Sequence, residues 1–166
     1  MADYSMLADV VEVVDPVPYW TQLKTRFGIP PSTFDGYTLV RPQSRKLHLV
    51  PKDHRPPQRP TPDTVGLPFL RVQMAVPKLT TAAAMQFGQH ATRNVIDATA
   101  GQTEAYLARD AFAPSPDQLV PCTARGYVIV RYSGGGIGIG FLEDDPATAP
   151  AVGSMFPKGW TRDVTL

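Results

Sequence analysis

The sequence predicts an α+β chain that is mainly β: a small mixed-sheet barrel with short helices, preceded by a small α/β N-terminal segment. Three observations lead there. Apolar runs are short and strand-like, bounded by turn residues. Helical periodicity occurs only in brief stretches. Proline stands at 18 of 166 positions, about twice ordinary usage, which suits many short elements joined by stiff loops.

The elements follow in order. Asp15-Pro16 supplies an N-terminal acceptor and a first-turn proline, and Tyr19, Trp20, Leu23 and Phe27 then recur at helical spacing. Gly28 and Pro30-Pro31 end that helix. Tyr37 to Arg41 and Lys46 to Val50 read as strands around a turn at 42–45. Residues 51–65, rich in proline and bases, read as a linker or surface loop. The expected organisation is a 1–50 N-terminal subdomain, the 51–65 linker and a 66–166 main domain. Phe69 to Val76 alternates as a strand, and Thr80-Thr81 caps a helix ending near Gly88. Asn94 to Asp97 reads as a strand and Thr103 to Arg109 as one or two helical turns. Pro114 and Pro116 mark a loop. Gly126 to Tyr132 is a strand whose hairpin partner is Ile137 to Leu142.

The net charge of +1 conceals a gradient. Residues 36–78 hold eight bases against two acids, a local +6, whereas residues 1–35 stand at −3. Concentrated positive charge is what the phosphates of a polyanion bind. The single Cys122 excludes an intramolecular disulfide and a cysteine-based zinc cluster. The acidic N-terminus lacks the basic start of a secretory signal, and no run of 18 apolar residues exists. The expected chain has no membrane segment and is cytoplasmic.

Catalytic motifs do not stand out. Ser133 to Gly140 lacks the G-x-G-x-x-G spacing and the Lys-Ser/Thr of a phosphate loop, and a strand follows where a helix N-terminus would be needed. Gly134 to Gly136 therefore read as a hairpin turn, with Gly138 and Gly140 permitting close backbone approach. His48, His54 and His90 stand singly, without metal-ligand spacing. No catalytic residue, metal site or cofactor is expected. Bases near aromatics remain as ligand candidates: Lys78, Arg93, Arg131, Tyr132, Lys158, Trp160 and Arg162. Lysine and arginine neutralise phosphates, and exposed tyrosine or tryptophan stacks on unpaired bases.

Leu23-Lys24-Thr25-Arg26-Phe27-Gly28-Ile29-Pro30, Phe34-Asp35-Gly36-Tyr37 and Lys46-Leu47-His48-Leu49 form the first block of a recognisable order. Phe69-Leu70-Arg71-Val72, Pro77-Lys78, Ala91-Thr92-Arg93-Asn94-Val95-Ile96-Asp97 and Glu104-Ala105-Tyr106-Leu107 form the second. Gly126 to Tyr132, Gly138-Ile139-Gly140 and Met155-Phe156-Pro157-Lys158-Gly159-Trp160 close it. Across nearly the whole chain this order resembles the PUA-like domain found C-terminal in Sun/Nop-family RNA cytosine-5 methyltransferases, with the short segment that precedes it.

The resemblance implies a PUA-like pseudo-barrel that holds structured RNA. By position it points to Lys78, Arg93, Arg131 and Lys158. The sequence departs from the family at Leu79, where proline commonly follows the lysine, and it contains no methyltransferase domain. The expectation is a non-catalytic module for rRNA or tRNA, acting in trans with an RNA methyltransferase or alone. The alternative is a protein-interaction adaptor for a methyltransferase or ribosomal partner, docking through the apolar start Leu7, Val10, Val11, Val13 and Val14.

Overall fold

The computed structural model describes residues 5–57 and 59–163; the side chains of residues 5, 6, 162 and 163 fall outside the described set. The chain forms two compact units. One comprises residues 1–24 and 30–80, the other residues 25–29 and 81–166. Each unit has its own sheet, and short helices complete an α+β, mostly β, architecture.

The first unit holds a five-stranded antiparallel sheet in the order β1-β2-β3-β4-β5. The strands are β1 (Glu12–Val14), β2 (Tyr37–Gln43), β3 (Lys46–Pro51), β4 (Leu67–Arg71) and β5 (Lys78–Leu79). Helix α1 (Ser5–Ala8) precedes β1, and α2 (Val17–Phe27) follows it, begun by Asp15 Oδ1 accepting from the Val17 N–H at 3.1 Å. Trp20 stacks on Phe34 with centroids 4.3 Å apart, and Phe69 meets both rings edge-on. Such arrangements suit the ring quadrupoles.

Residues 51–65 do not separate two units. They join β3 to β4, which returns to pair with β3, so the chain divides after Thr80. Val65 anchors this connection: it is buried, and its carbonyl accepts from His48 Nδ1 at 2.9 Å. The strand expected over 69–76 stops at Arg71, and residues 72–77 form a loop that is exposed at 73–76. The apolar N-terminal stretch serves this unit's own core. Leu7 is buried with Val40, Val50 and Val65, and Val10, Val11 and Val13 pack against them. Of the stretch that suggested a docking role, Leu7 is thus buried within this unit, while Val10, Val11 and Val13 are only partly buried.

The second unit holds a four-stranded sheet, β6-β7-β8-β9, in which β6 (Val95–Asp97) runs parallel to β7 (Gly126–Tyr132). Strands β8 (Gly135–Glu143) and β9 (Ala151–Ser154) continue it antiparallel. The β7–β8 turn is Ser133-Gly134, both at positive φ (49° and 80°), one residue earlier than the glycine run suggests. Two such residues give the turn whose twist matches paired strands. A Cβ on Gly136 would overlap the Ala84 carbonyl of α3 (Thr81–Phe87), and one on Gly138 would overlap the Tyr106 hydroxyl. These glycines let α3 and α4 (Ala100–Leu107) lie close on β8.

Thr99 and Gln102 cap α4 reciprocally. Ser115 and Gln118 do the same for α5 (Pro116–Leu119), a helical turn where the prolines had suggested only a loop. Proline in the first helical turn removes no hydrogen bond. Among the described residues neither sheet closes on itself. The expected barrel is not formed, because edge strands of two to four residues offer too little backbone for closure. No described helix is long and apolar enough to cross a membrane.

Candidate nucleic-acid interface

In the first unit, pairing register lines up three cations. Lys46 on β3 lies directly opposite Arg71 on β4, and Arg71 lies opposite Lys78 on β5. Directly paired residues share a sheet face, and strands lie about 4.8 Å apart, so the row extends roughly 10 Å across the sheet. The next row, Leu47, Leu70 and Leu79, is paired in the same way and is buried. Period-two alternation thus drives leucines into the core and cations to the other face.

Arg45, in the preceding turn, has its backbone beside the loop after β4: its carbonyl accepts from the Val72 N–H at 3.2 Å. Among the described residues Arg45, Lys46 and Arg71 have no carboxylate partner. Arg41 of the same hairpin differs: its Nε lies 3.3 Å from Glu12. His48, two residues along β3 from Lys46, is held toward its neutral form. Burial pushes its pKa down, Lys46 adds to this, and the Val65 carbonyl requires the proton on Nδ1.

Of the seven expected contact residues, Lys78 stands in this row, in the first unit. The others belong to the second. Arg93 is exposed just before β6, and its side chain makes no hydrogen bond or ion pair among the described residues. Its position is fixed by the backbone. The N–H groups of Thr92 and Arg93 both donate to the Phe27 carbonyl, and buried Asn94 reaches the Arg26 carbonyl at 2.7 Å.

Arg131 is committed internally. Its Nε and Nη2 hold Asp97 at 2.8 and 2.9 Å, and Nη1 donates to the carbonyls of Ala91 and Gln89. Its guanidinium clasps β6 to the turn before it and has little left for a phosphate. Tyr132 is 42% exposed beside the β7–β8 turn. Trp160 is 45% exposed, edge-on to Phe156 at 5.9 Å. Arg162 has its side chain outside the described set.

Lys158 lines an open groove of about 560 Å³ with Gly159, Thr161 and Arg109. Arg109 escaped sequence reading. It leaves α4 at φ +66°, and its guanidinium donates to the Phe156 carbonyl, a partner 47 positions away that no local pattern reveals. Lys46 and Arg71 carried one signal, the +6 stretch, but their alignment depends on strand pairing.

Cys122 is half-buried, and burial raises its thiol pKa, which favours an inert thiol over a thiolate. Among the described residues no three His, Cys, Asp or Glu side chains gather where a metal ion could be held. These features define an open-sheet α+β protein with an in-register row of cations on one sheet. No protein-family model matches the chain, and a search of curated proteins finds no match.

Proposed function

We propose that the protein is a non-catalytic, cytoplasmic RNA-binding module for structured RNA such as rRNA or tRNA, working beside an RNA-modifying enzyme such as a methyltransferase. One observation carries the reading: the in-register row of Lys46, Arg71 and Lys78. Like charges directly opposite one another destabilise a sheet, and among the described residues Lys46 and Arg71 have no carboxylate partner. A linear row complements a linear polyanion, whose phosphates offset the repulsion. Arg93, Tyr132, Lys158, Trp160 and the Arg109 groove supply further cations and exposed rings in the second unit. A PUA-like kinship, supported by the order of motifs, belongs to the same proposal.

The test is fluorescence anisotropy with a labelled tRNA-derived hairpin across a salt series. Binding should weaken steeply with salt. The Lys46→Ala, Arg71→Ala double variant should lower the slope of log K against log salt by about 1.4 to 1.8, at 0.7 to 0.9 per contact. Absence of binding at about 50 mM salt, where phosphate contacts are strongest, refutes the reading.

A further inference from the structure

The loop joining β4 to β5, Val72-Gln73-Met74-Ala75-Val76-Pro77, carries no charge. Met74 is 45% exposed and Val76 56% exposed. The Arg71–Lys78 pair closes the loop at its base. The neighbouring β2–β3 turn brings Arg45 beside it, tied by the Val72 N–H to the Arg45 carbonyl, and Lys46 follows in register with Arg71. One end of the sheet therefore presents an apolar tip on a cationic base.

Single exposed apolar side chains are ordinary; two on an uncharged loop rimmed by cations form a combined surface. The matching ligand has an anionic rim and an apolar interior. A nucleic-acid helix has that arrangement, phosphates outside and base faces within, and apolar wedges such as methionine enter base stacks in known recognition modes. We propose that Met74 and Val76 form a wedge that enters an RNA helix at a bulge or internal loop, while Arg45, Lys46 and Arg71 hold the flanking phosphates.

The inference rests on the RNA-binding reading above and narrows its substrate class to imperfect hairpins. In a perfect duplex the wedge would have to open the stack, at about a few kcal/mol per step; at a bulge the stack is already interrupted. A lipid surface also combines anionic and apolar chemistry. However, even a whole myristoyl chain gives only marginal membrane binding, and Met74 with Val76 offers less apolar length than that. A row of cations, moreover, matches a strand of phosphates better than a plane.

The experiment compares two RNA hairpins, one with a single-nucleotide bulge flanked by 2-aminopurine and one fully paired. Wild-type protein should prefer the bulged hairpin by about tenfold, the surplus of apolar burial over unstacking, and should change the 2-aminopurine emission. The Met74→Ser, Val76→Ser variant, altered only at exposed positions, should bind both hairpins as the wild type binds the paired one, with its salt slope intact. Lys46→Ala with Arg71→Ala should weaken both hairpins equally. If both hairpins bind but wild type shows no preference, or the serine variant keeps it, the wedge is wrong while the RNA reading stands. Failure to bind either hairpin removes the RNA reading itself. Sedimentation with phosphatidylserine–phosphatidylcholine vesicles that the serine variant loses identifies a lipid surface and overturns the wedge.

Discussion

Lys46 and Arg71 face each other as directly paired residues across β3 and β4, with no carboxylate beside either among the described residues. A sheet selected for stability alone would place opposite charges there. Arg71→Glu replaces a like-charge pair with a favourable cross-strand pair to Lys46, worth about 0.2–1 kcal/mol. The variant should therefore unfold at a higher urea midpoint than wild type while losing RNA affinity. A gain in stability without loss of binding would place the anion site elsewhere.

Arg93 and Arg131 should separate in their effects. Arg131 is a clasp, so Arg131→Lys, which cannot reproduce the bidentate fork, should cost about 1 kcal/mol, discounted because Asp97 is largely solvent-exposed. Its RNA affinity should stay within about twofold of wild type, since no phosphate contact is removed. Arg93→Ala should leave stability unchanged and lower the salt slope by about 0.7. Urea titration and anisotropy on both variants read the two effects independently.

Asn94 sits fully buried at φ +47°, a backbone region that asparagine tolerates better than most residues. Its amide donates to the Arg26 carbonyl and to Thr123 Oγ1, and its side-chain oxygen accepts from the Thr123 N–H at 3.0 Å. Asn94→Ala strands these groups and strains the backbone, so a loss of about 3 kcal/mol is expected. Asn94→Gly relieves the backbone alone and should recover only part of it. Denaturation midpoints of the pair distinguish the two contributions.

Acid should weaken the fold through His48. Its folded pKa is depressed by burial, whereas in the unfolded chain it titrates near about 6.5. Below that value the unfolded state takes up a proton that the folded state refuses, so stability falls as pH drops; above it His48 contributes no pH dependence. Urea midpoints measured downward from about pH 7.5 should decline more steeply in wild type than in His48→Gln, which does not titrate. Parallel curves for the two proteins would refute this assignment.

Much of the local structure was legible because local chemistry determines it. The Asp15 start and Gly28 stop of α2 and the β2–β3 and β7–β8 hairpins all lie within a few residues of the groups that make them. What escaped was decided at long range. The alternation of 69–76 continues past Arg71, but β5 has two residues and can pair no further, so the strand ends there. The proline-rich 51–65 stretch looks like a linker until Val65 and the return of β4 tie it to β3. The binding candidates followed the same division. The +6 count pointed to the basic hairpins, yet only register shows Lys46, Arg71 and Lys78 standing in line. Arg131 had the composition of a phosphate contact but is paired with Asp97.

The Phe27 carbonyl, which receives both the Thr92 and Arg93 amides, bears on how this chain could be dissected. A fragment starting at residue 81 keeps every strand of β6–β9 yet leaves behind Arg26 and Phe27, whose carbonyls Asn94, Thr92 and Arg93 require, and the Arg26 guanidinium that binds the Tyr127 carbonyl at 2.8 Å. Such a truncation should loosen the segment leading into β6 and the start of β7. Supplying a synthetic peptide spanning the end of α2 should restore it by complementation, making a short piece of the N-terminal half an obligatory subunit of the C-terminal one.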